Sequence, residues 1–194
     1  MAGPTVIVVG GGVAGLSYVT KAAEKGANIL LFSLVPVKRS HSVCAQGGIN
    51  AALNLKGEGD SPYQHFYDTI YGGDFLAEQE PVKNMCEEAP NIIYTLARMG
   101  VPFNRNPEGF LDLRLFGGVR HRRTAFAGAT TGQQLVYALD EQVRRYEAKG
   151  QVKKYEMWEF LSIVKHPADN RVCGITAINM NNMEVHFFKA DAVV

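Results

Sequence analysis

Hydrophobic and polar positions alternate in two different rhythms along this chain. Thr5 to Val9 is a β-branched apolar run of strand length; three glycines follow, then Val13, Leu16 and Ala23 at roughly helical spacing up to Gly26. That order predicts strand, tight turn and helix, with Gly26 as the helix stop. Asn28 to Phe32 is a second short apolar run, so the first 33 residues predict a βαβ unit on a parallel sheet. From Ser33 to Gly59 no period is sustained. An irregular stretch of that length is uncommon inside a domain unless it serves function, which makes it the first place to look for ligand contacts.

Helical rhythm returns at Ser61 to Tyr71, where Tyr63, Phe66, Tyr67 and Ile70 suit an amphipathic helix opened by a Ser-Pro cap. Two shorter helices are predicted next, Pro81 to Ala89 and Pro90 to Met99, each starting at a proline, the second ending at Gly100. Residues 101 to 130 read as loop. Thr131 then caps a helix whose Leu135, Leu139, Val143 and Tyr146 form one face, and Gly150 ends it. Strand alternation takes over in Glu156 to Lys165, Val172 to Met180 and Glu184 to Lys189, joined by a Pro-Ala-Asp-Asn turn and an Asn181-Asn182 turn, which predicts a small antiparallel meander. Ala190 to Val194 begin a further apolar strand. A strand left half-paired there suggests the N-terminal part of a larger domain.

Composition narrows little. The chain has 194 residues, 46% hydrophobic and 20% charged, with a formal net charge of +1. These are the proportions of a globular domain, and the balance supports neither a nucleic-acid partner nor an acidic substrate. Cys44, Cys86 and Cys173 are odd in number and far apart, which fits neither a disulfide framework nor a CxxC-type metal site. No metal centre is expected. Val6 to Val9 is too short an apolar stretch to span a bilayer.

Candidate chemistry begins at Gly10-Gly11-Gly12-Val13-Ala14-Gly15, a G-x-G-x-x-G placed between a strand and a helix. Gly10 allows the tight turn, Gly12 lets backbone approach a pyrophosphate, and Gly15 lets the helix pack on the strand. The helix N-terminus offers its N–H groups to phosphate. The acidic residue usual at the end of the second strand is replaced by Ser33, which can make one hydrogen bond but no bidentate carboxylate contact. That weakens a reading as an NAD site more than as an FAD site.

Lys38-Arg39-Ser40-His41-Ser42-Val43-Cys44-Ala45-Gln46-Gly47-Gly48-Ile49 resembles the R-S-H-[ST]-x-x-A-[QE]-G-G segment of the succinate dehydrogenase and fumarate reductase flavoprotein family. Further landmarks occur in the family's order: Gly73-Asp74-Phe75-Leu76 with Gln79, Met99 to Arg105, Phe116-Gly117-Gly118, Arg123-Thr124 and Thr131-Gly132. The resemblance implies an α/β, Rossmann-like FAD-binding domain with a parallel sheet and a small antiparallel meander. Residues 1–194 would be its N-terminal part, truncated before the capping domain. It implies FAD bonded covalently through His41, cradled by Ser33 to Gly48 with Lys38, Arg39, Ser40, Ser42 and Gln46, and with Gly47-Gly48 against the isoalloxazine ring. Glu159-Phe160 would run past the adenine, and Phe116, with Gly48, would lie near the dicarboxylate. A neutral imidazole is nucleophilic, as attachment requires.

The family's activity is hydride transfer between succinate or fumarate and FAD, with electrons passed to an iron-sulfur subunit and, through membrane-anchor subunits, to quinone. Such a protein sits peripherally on the cytoplasmic side of the membrane through its partners. The family's catalytic arginine lies beyond residue 194, so no catalytic base is assigned within the chain. An L-aspartate oxidase-like flavoenzyme, which shares the glycine motifs without covalent flavin, and a catalytically incomplete FAD-binding fragment are the alternatives. The residues also leave open a solvated basic turn at His121-Arg122-Arg123, an ordinary core role for Phe116, and a small buried Cys44.

Overall fold

The first apolar run forms β1 (Thr5–Val9), which passes through the three glycines into α1 (Val13–Glu24) and back to β2 (Asn28–Ser33). In this computed structural model, which describes residues 3–194, β1 and β2 pair in parallel with Thr5 opposite Asn28 and Val9 opposite Phe32. A parallel pair cannot be closed by a tight hairpin, and α1 supplies the crossover. β6 (Val152–Glu156) adds in parallel beside β2, and β10 (Ala192–Val193) in parallel beside β1, giving the order β10-β1-β2-β6. Val6, Ile7 and Val8 are all buried, as expected of a parallel sheet covered on both faces. One cover is α1, through Leu16, Val19 and Ala23. On the other face Ile7 and Phe32 pack with Ile175, Ala177 and Ala190.

That second cover is the predicted meander, β7 (Trp158–Lys165), β8 (Val172–Asn179) and β9 (Val185–Lys189), antiparallel in chain order. Phe32 anchors it: its ring stacks on Tyr155 at 4.6 Å between centroids and meets Phe188 edge-on at 4.7 Å. Each such pair adds about 0.5–1.5 kcal/mol beyond the area it buries. The structure corrects the strand expected from Glu156 onward. β6 ends at Glu156, Met157 adopts a left-handed φ of 62°, and β7 starts at Trp158. A single residue in that conformation takes the chain out of the parallel sheet and into the meander.

The chain divides into two compact units: the segment up to Val43 with Leu135–Val194, described above, and Cys44–Gln134. α4 (Thr131–Glu147) contributes buried Leu135, Val136, Leu139 and Val143 to the first. The second unit holds a small antiparallel sheet of β3 (Ile49–Asn50), β5 (Thr124–Ala125) and β4 (Leu113–Arg114), in that spatial order, beside α2 (Pro62–Gly72) and α3 (Gln79–Arg98). The two- and three-strand pairings within residues 49–125 lie in stretches that read as loop. The Ser61 hydroxyl caps α2 by accepting the Gln64 N–H at 3.1 Å, with Pro62 in the first turn.

Where two helices are expected there is one. α3 runs through Pro90, and its buried face, Cys86, Ala89, Ile93 and Leu96, continues across the proline without a break. Burying that stripe outweighs the N–H that Pro90 cannot donate to the Cys86 carbonyl. The basic turn also departs from a solvated reading. Arg122 pairs with Glu58, and Arg123, 1% exposed, is held by Asp60 at 2.7 Å and Asp68 at 2.8 Å.

Candidate functional site: a glycine turn and a glycine pair

Gly10 sits at φ +120°, open to glycine alone. At Gly15 an added Cβ would stand 1.8 Å from the Gly10 carbonyl oxygen, so only glycine lets α1 close onto the turn. A Cβ at Gly11 would meet Ser33 Oγ and Val37 Cγ1, each at 2.7 Å, and one at Gly12 would meet Ser42 Oγ at 3.0 Å. Gly12 precedes α1 as its N-cap and offers no side-chain cap, and the first turn of α1, which includes Val13 and Ala14, holds no acidic residue. Apart from the Val13 N–H, which Ser42 accepts, the N–H groups of that turn and the positive end of the helix dipole suit an anion.

The segment after β2 returns to this turn. Ser33, buried at the end of β2, packs on Gly11, and Ser42 accepts the Val13 N–H at 3.2 Å. His41 is exposed at the head of a short 3₁₀ turn, His41–Cys44, one residue from that contact. Ser40 beside it is buried, and its hydroxyl has no partner. Arg39 is exposed. Lys38 turns instead toward α4, 3.5 Å from Asp140, 3.4 Å from Glu141 and 5.0 Å above the Tyr137 ring. Glu159 and Phe160 lie exposed on β7. Cys44, read as a small buried residue, is exposed.

Two carboxylates that the sequence did not single out organise this segment. Glu156 stands in register with Ser33 across β2 and β6, and its Oε1 accepts the Val37 N–H at 2.9 Å. Asp140, 2% exposed, receives Lys154 at 2.5 Å, and Lys154 also reaches Glu147 at 2.7 Å. Burial pulls the Lys154 pKa down, but its hydrogen bonds to Asp140 and Glu147 outweigh burial and hold it above the ordinary lysine value. A cavity of about 400 Å³ lies among Val37, Lys38, Asp140 and Glu156. No sequence signal pointed to Glu156, because β6, the strand it ends, could not be read from the sequence.

In the second unit the Gln46-Gly47-Gly48 loop leads into β3. Gly48 has φ +110°, and a Cβ there would stand 2.5 Å from the Ala125 carbonyl oxygen. A Cβ at Gly47 would stand 3.0 Å from Phe116 Cζ, so the Phe116 ring, about half exposed, lies directly against this loop. Arg114 donates to the Gln46 carbonyl at 3.0 Å and to the Gly47 carbonyl, and its guanidinium stacks 4.5 Å from the Phe126 ring centroid. Arg114 was missed in the sequence because nothing local ties it to residues 67 and 68 positions away. Among the described residues no group of three or more His, Cys, Asp or Glu is placed to hold a metal ion.

A glycine cradle that any side chain would fill, at an uncapped helix start after a parallel strand, suits a dinucleotide pyrophosphate. The family model for the FAD binding domain matches residues 5–194. The chain belongs to the FAD binding domain family. Its curated relatives include the succinate dehydrogenase flavoprotein subunit of Bacillus subtilis, 66% identical over 195 residues and covering 100% of this chain. A fumarate reductase flavoprotein subunit of Mycobacterium tuberculosis is 35% identical over 97% of it. The chain spans about a third of the length of these relatives, 33% and 31%. Among solved structures, the FrdA chain of an Escherichia coli quinol fumarate reductase variant matches with a TM-score of 0.87 and 33% identity, over 98% of this chain and 32% of that one. Mycobacterium smegmatis Sdh1 in complex with UQ1 matches with a TM-score of 0.90 and 27% identity, over 98% and 33%. The resemblance to succinate dehydrogenase and fumarate reductase flavoproteins and the Rossmann-like α/β architecture are therefore both borne out. FAD is the cofactor of this family, and the glycine cradle fits its pyrophosphate.

Proposed function

We propose that residues 1–194 are the N-terminal part of the FAD-binding domain of a succinate:quinone oxidoreductase or fumarate reductase flavoprotein, with FAD attached covalently at His41. The observation that carries the attachment is the pinning of the His41 turn to the phosphate end of α1. Ser42 accepts the Val13 N–H, and the exposed imidazole is the adjacent residue. Gly10, Gly11, Gly12 and Gly15, with the Ala14 N–H and with Val13 held by Ser42 at the edge of the turn, would hold the pyrophosphate. Ser33, Arg39 and Ser40 would line its approach, Gln46, Gly47 and Gly48 would bear on the flavin, and Glu159 and Phe160 on the adenine. Lys38, committed to the carboxylates of α4, would act by holding this segment in place.

When bound, FAD supplies a two-electron acceptor for hydride exchange with succinate or fumarate. The residues of this chain bind and orient it, and Phe116 forms an apolar wall beside Gly47 for a flat dicarboxylate. Electrons would pass to an iron-sulfur subunit and on to quinone through membrane-anchor subunits, with the flavoprotein peripheral on the cytoplasmic side. No helix among the described residues is long and apolar enough to cross a membrane. The 66% identity to a succinate dehydrogenase flavoprotein supports this reading.

The test is acid precipitation of the full-length protein. Yellow flavin should stay with the polypeptide, and one peptide containing His41 should carry the mass of FAD. His41→Ala should release the flavin into the supernatant. Flavin released from the unsubstituted protein would overturn the attachment.

A further inference from the structure

Arg114 occupies an unusual position for a residue that only holds a fold together. Its Nη2 donates to the main-chain carbonyls of both Gln46 and Gly47, while the guanidinium lies 4.5 Å from the Phe126 ring centroid and 5.8 Å from that of Phe116. Its Nε is buried without a partner. An unpaired buried donor costs on the order of 1–3 kcal/mol, a cost retained here where a lysine or an apolar residue would avoid it.

The geometry has a directional consequence. In a trans peptide the carbonyl of one residue and the N–H of the next point in opposite directions. With the Gln46 and Gly47 carbonyls drawn to Arg114, the Gly47 and Gly48 N–H groups point away from it. Gly47 meets Phe116 and Gly48 lies in left-handed φ against the Ala125 carbonyl, so neither position admits a side chain that could cover those donors. A loop presenting two such N–H groups stabilises negative charge on a flat ligand.

We propose that Arg114 is a positioning residue for the flavin, fixing the Gln46-Gly47 peptides so that the Gly47 and Gly48 N–H groups bond to the electron-rich edge of the isoalloxazine ring. This rests on the reading of Gly47-Gly48 as the flavin-facing segment. Arginine suits the position because a single Nη2 takes both carbonyls while the guanidinium plane stacks on Phe126, which a lysine ammonium does not do.

The experiment uses the full-length flavoprotein and its Arg114→Lys and Arg114→Gln variants, comparing FAD content, thermal melting and the midpoint potential of the bound flavin. Both variants should melt cooperatively and hold FAD, with the reduced flavin stabilised at least tenfold less than in the parent. That is a fall of about 30 mV for a two-electron couple. Loss of FAD from a variant that still melts cooperatively also supports the proposal. An unchanged potential in variants holding FAD overturns it, as does full restoration by lysine, which would assign the effect to charge alone. Failure of both variants to fold overturns it too, making Arg114 a residue of the fold. Absence of FAD from the parent would instead sink the cofactor reading.

Discussion

A methyl group at Gly15 has nowhere to go, because the nearest atom, 1.8 Å from the ideal Cβ, is a backbone oxygen that cannot rotate away. Gly15→Ala should therefore destabilise the full-length protein by about 3 kcal/mol, the upper end for overpacking. It should also lower FAD retention, with melting temperature and flavin absorbance as the measures. His65 makes a different kind of prediction. Its burial, and next the charge of Arg123, hold its pKa below the ordinary 6.5, with Asp60 and Asp68 acting the other way. Between that lowered value and 6.5 the unfolded chain binds more protons than the folded one, so stability rises with pH across this window. The contribution is fully present above 6.5 and is lost as pH falls toward the folded value. Urea midpoints measured from about pH 7.5 down to about pH 5.5 should fall, and His65→Gln should flatten the slope.

At the scale of elements, α3 and the β2–β6 edge each hold one testable tension. α3 tolerates Pro90 because its buried stripe crosses it, so Pro90→Ala should return a hydrogen bond and raise stability by roughly 1–3 kcal/mol in denaturant titration. α4 is tied to β6 through Asp140 and Lys154, both largely buried. Asp140→Ala should cost about 3–5 kcal/mol, because it leaves a largely buried ammonium without one of its two carboxylate partners. Lys154→Met in the same background should recover part of that loss, which a double-mutant cycle would read directly. The elements legible in the sequence, β1, α1, β2, α2, α4 and the meander, are those whose hydrophobic period is local and uninterrupted. The ones missed were decided elsewhere. β6 was hidden because residues 152–156 mix buried and exposed positions without clean alternation, and the two-residue strands β3, β4 and β5 exist only because each finds a partner far along the chain.

For the whole molecule, cofactor and fold should be thermodynamically linked. A full-length His41→Ala protein, stripped of flavin, should melt at progressively higher temperature as FAD is added, gaining about 2.7 kcal/mol at a hundredfold excess over the dissociation constant. A melting temperature indifferent to FAD would count against the cradle. The glycine turn is legible in the sequence because its chemistry is carried by consecutive residues: a strand, glycines that admit close approach, and a helix start. Arg114 against the Gln46 and Gly47 carbonyls, Glu156 beside Ser33, and Arg123 buried between two aspartates were not legible, because each pairing closes a loop of 55 to 123 residues. Sequence alone determined the βαβ start and the glycine turn between strand and helix, since local sterics and periodicity decide these. Tertiary structure alone decided which charged side chains are committed within the protein, because only the folded chain brings their partners within hydrogen-bonding distance.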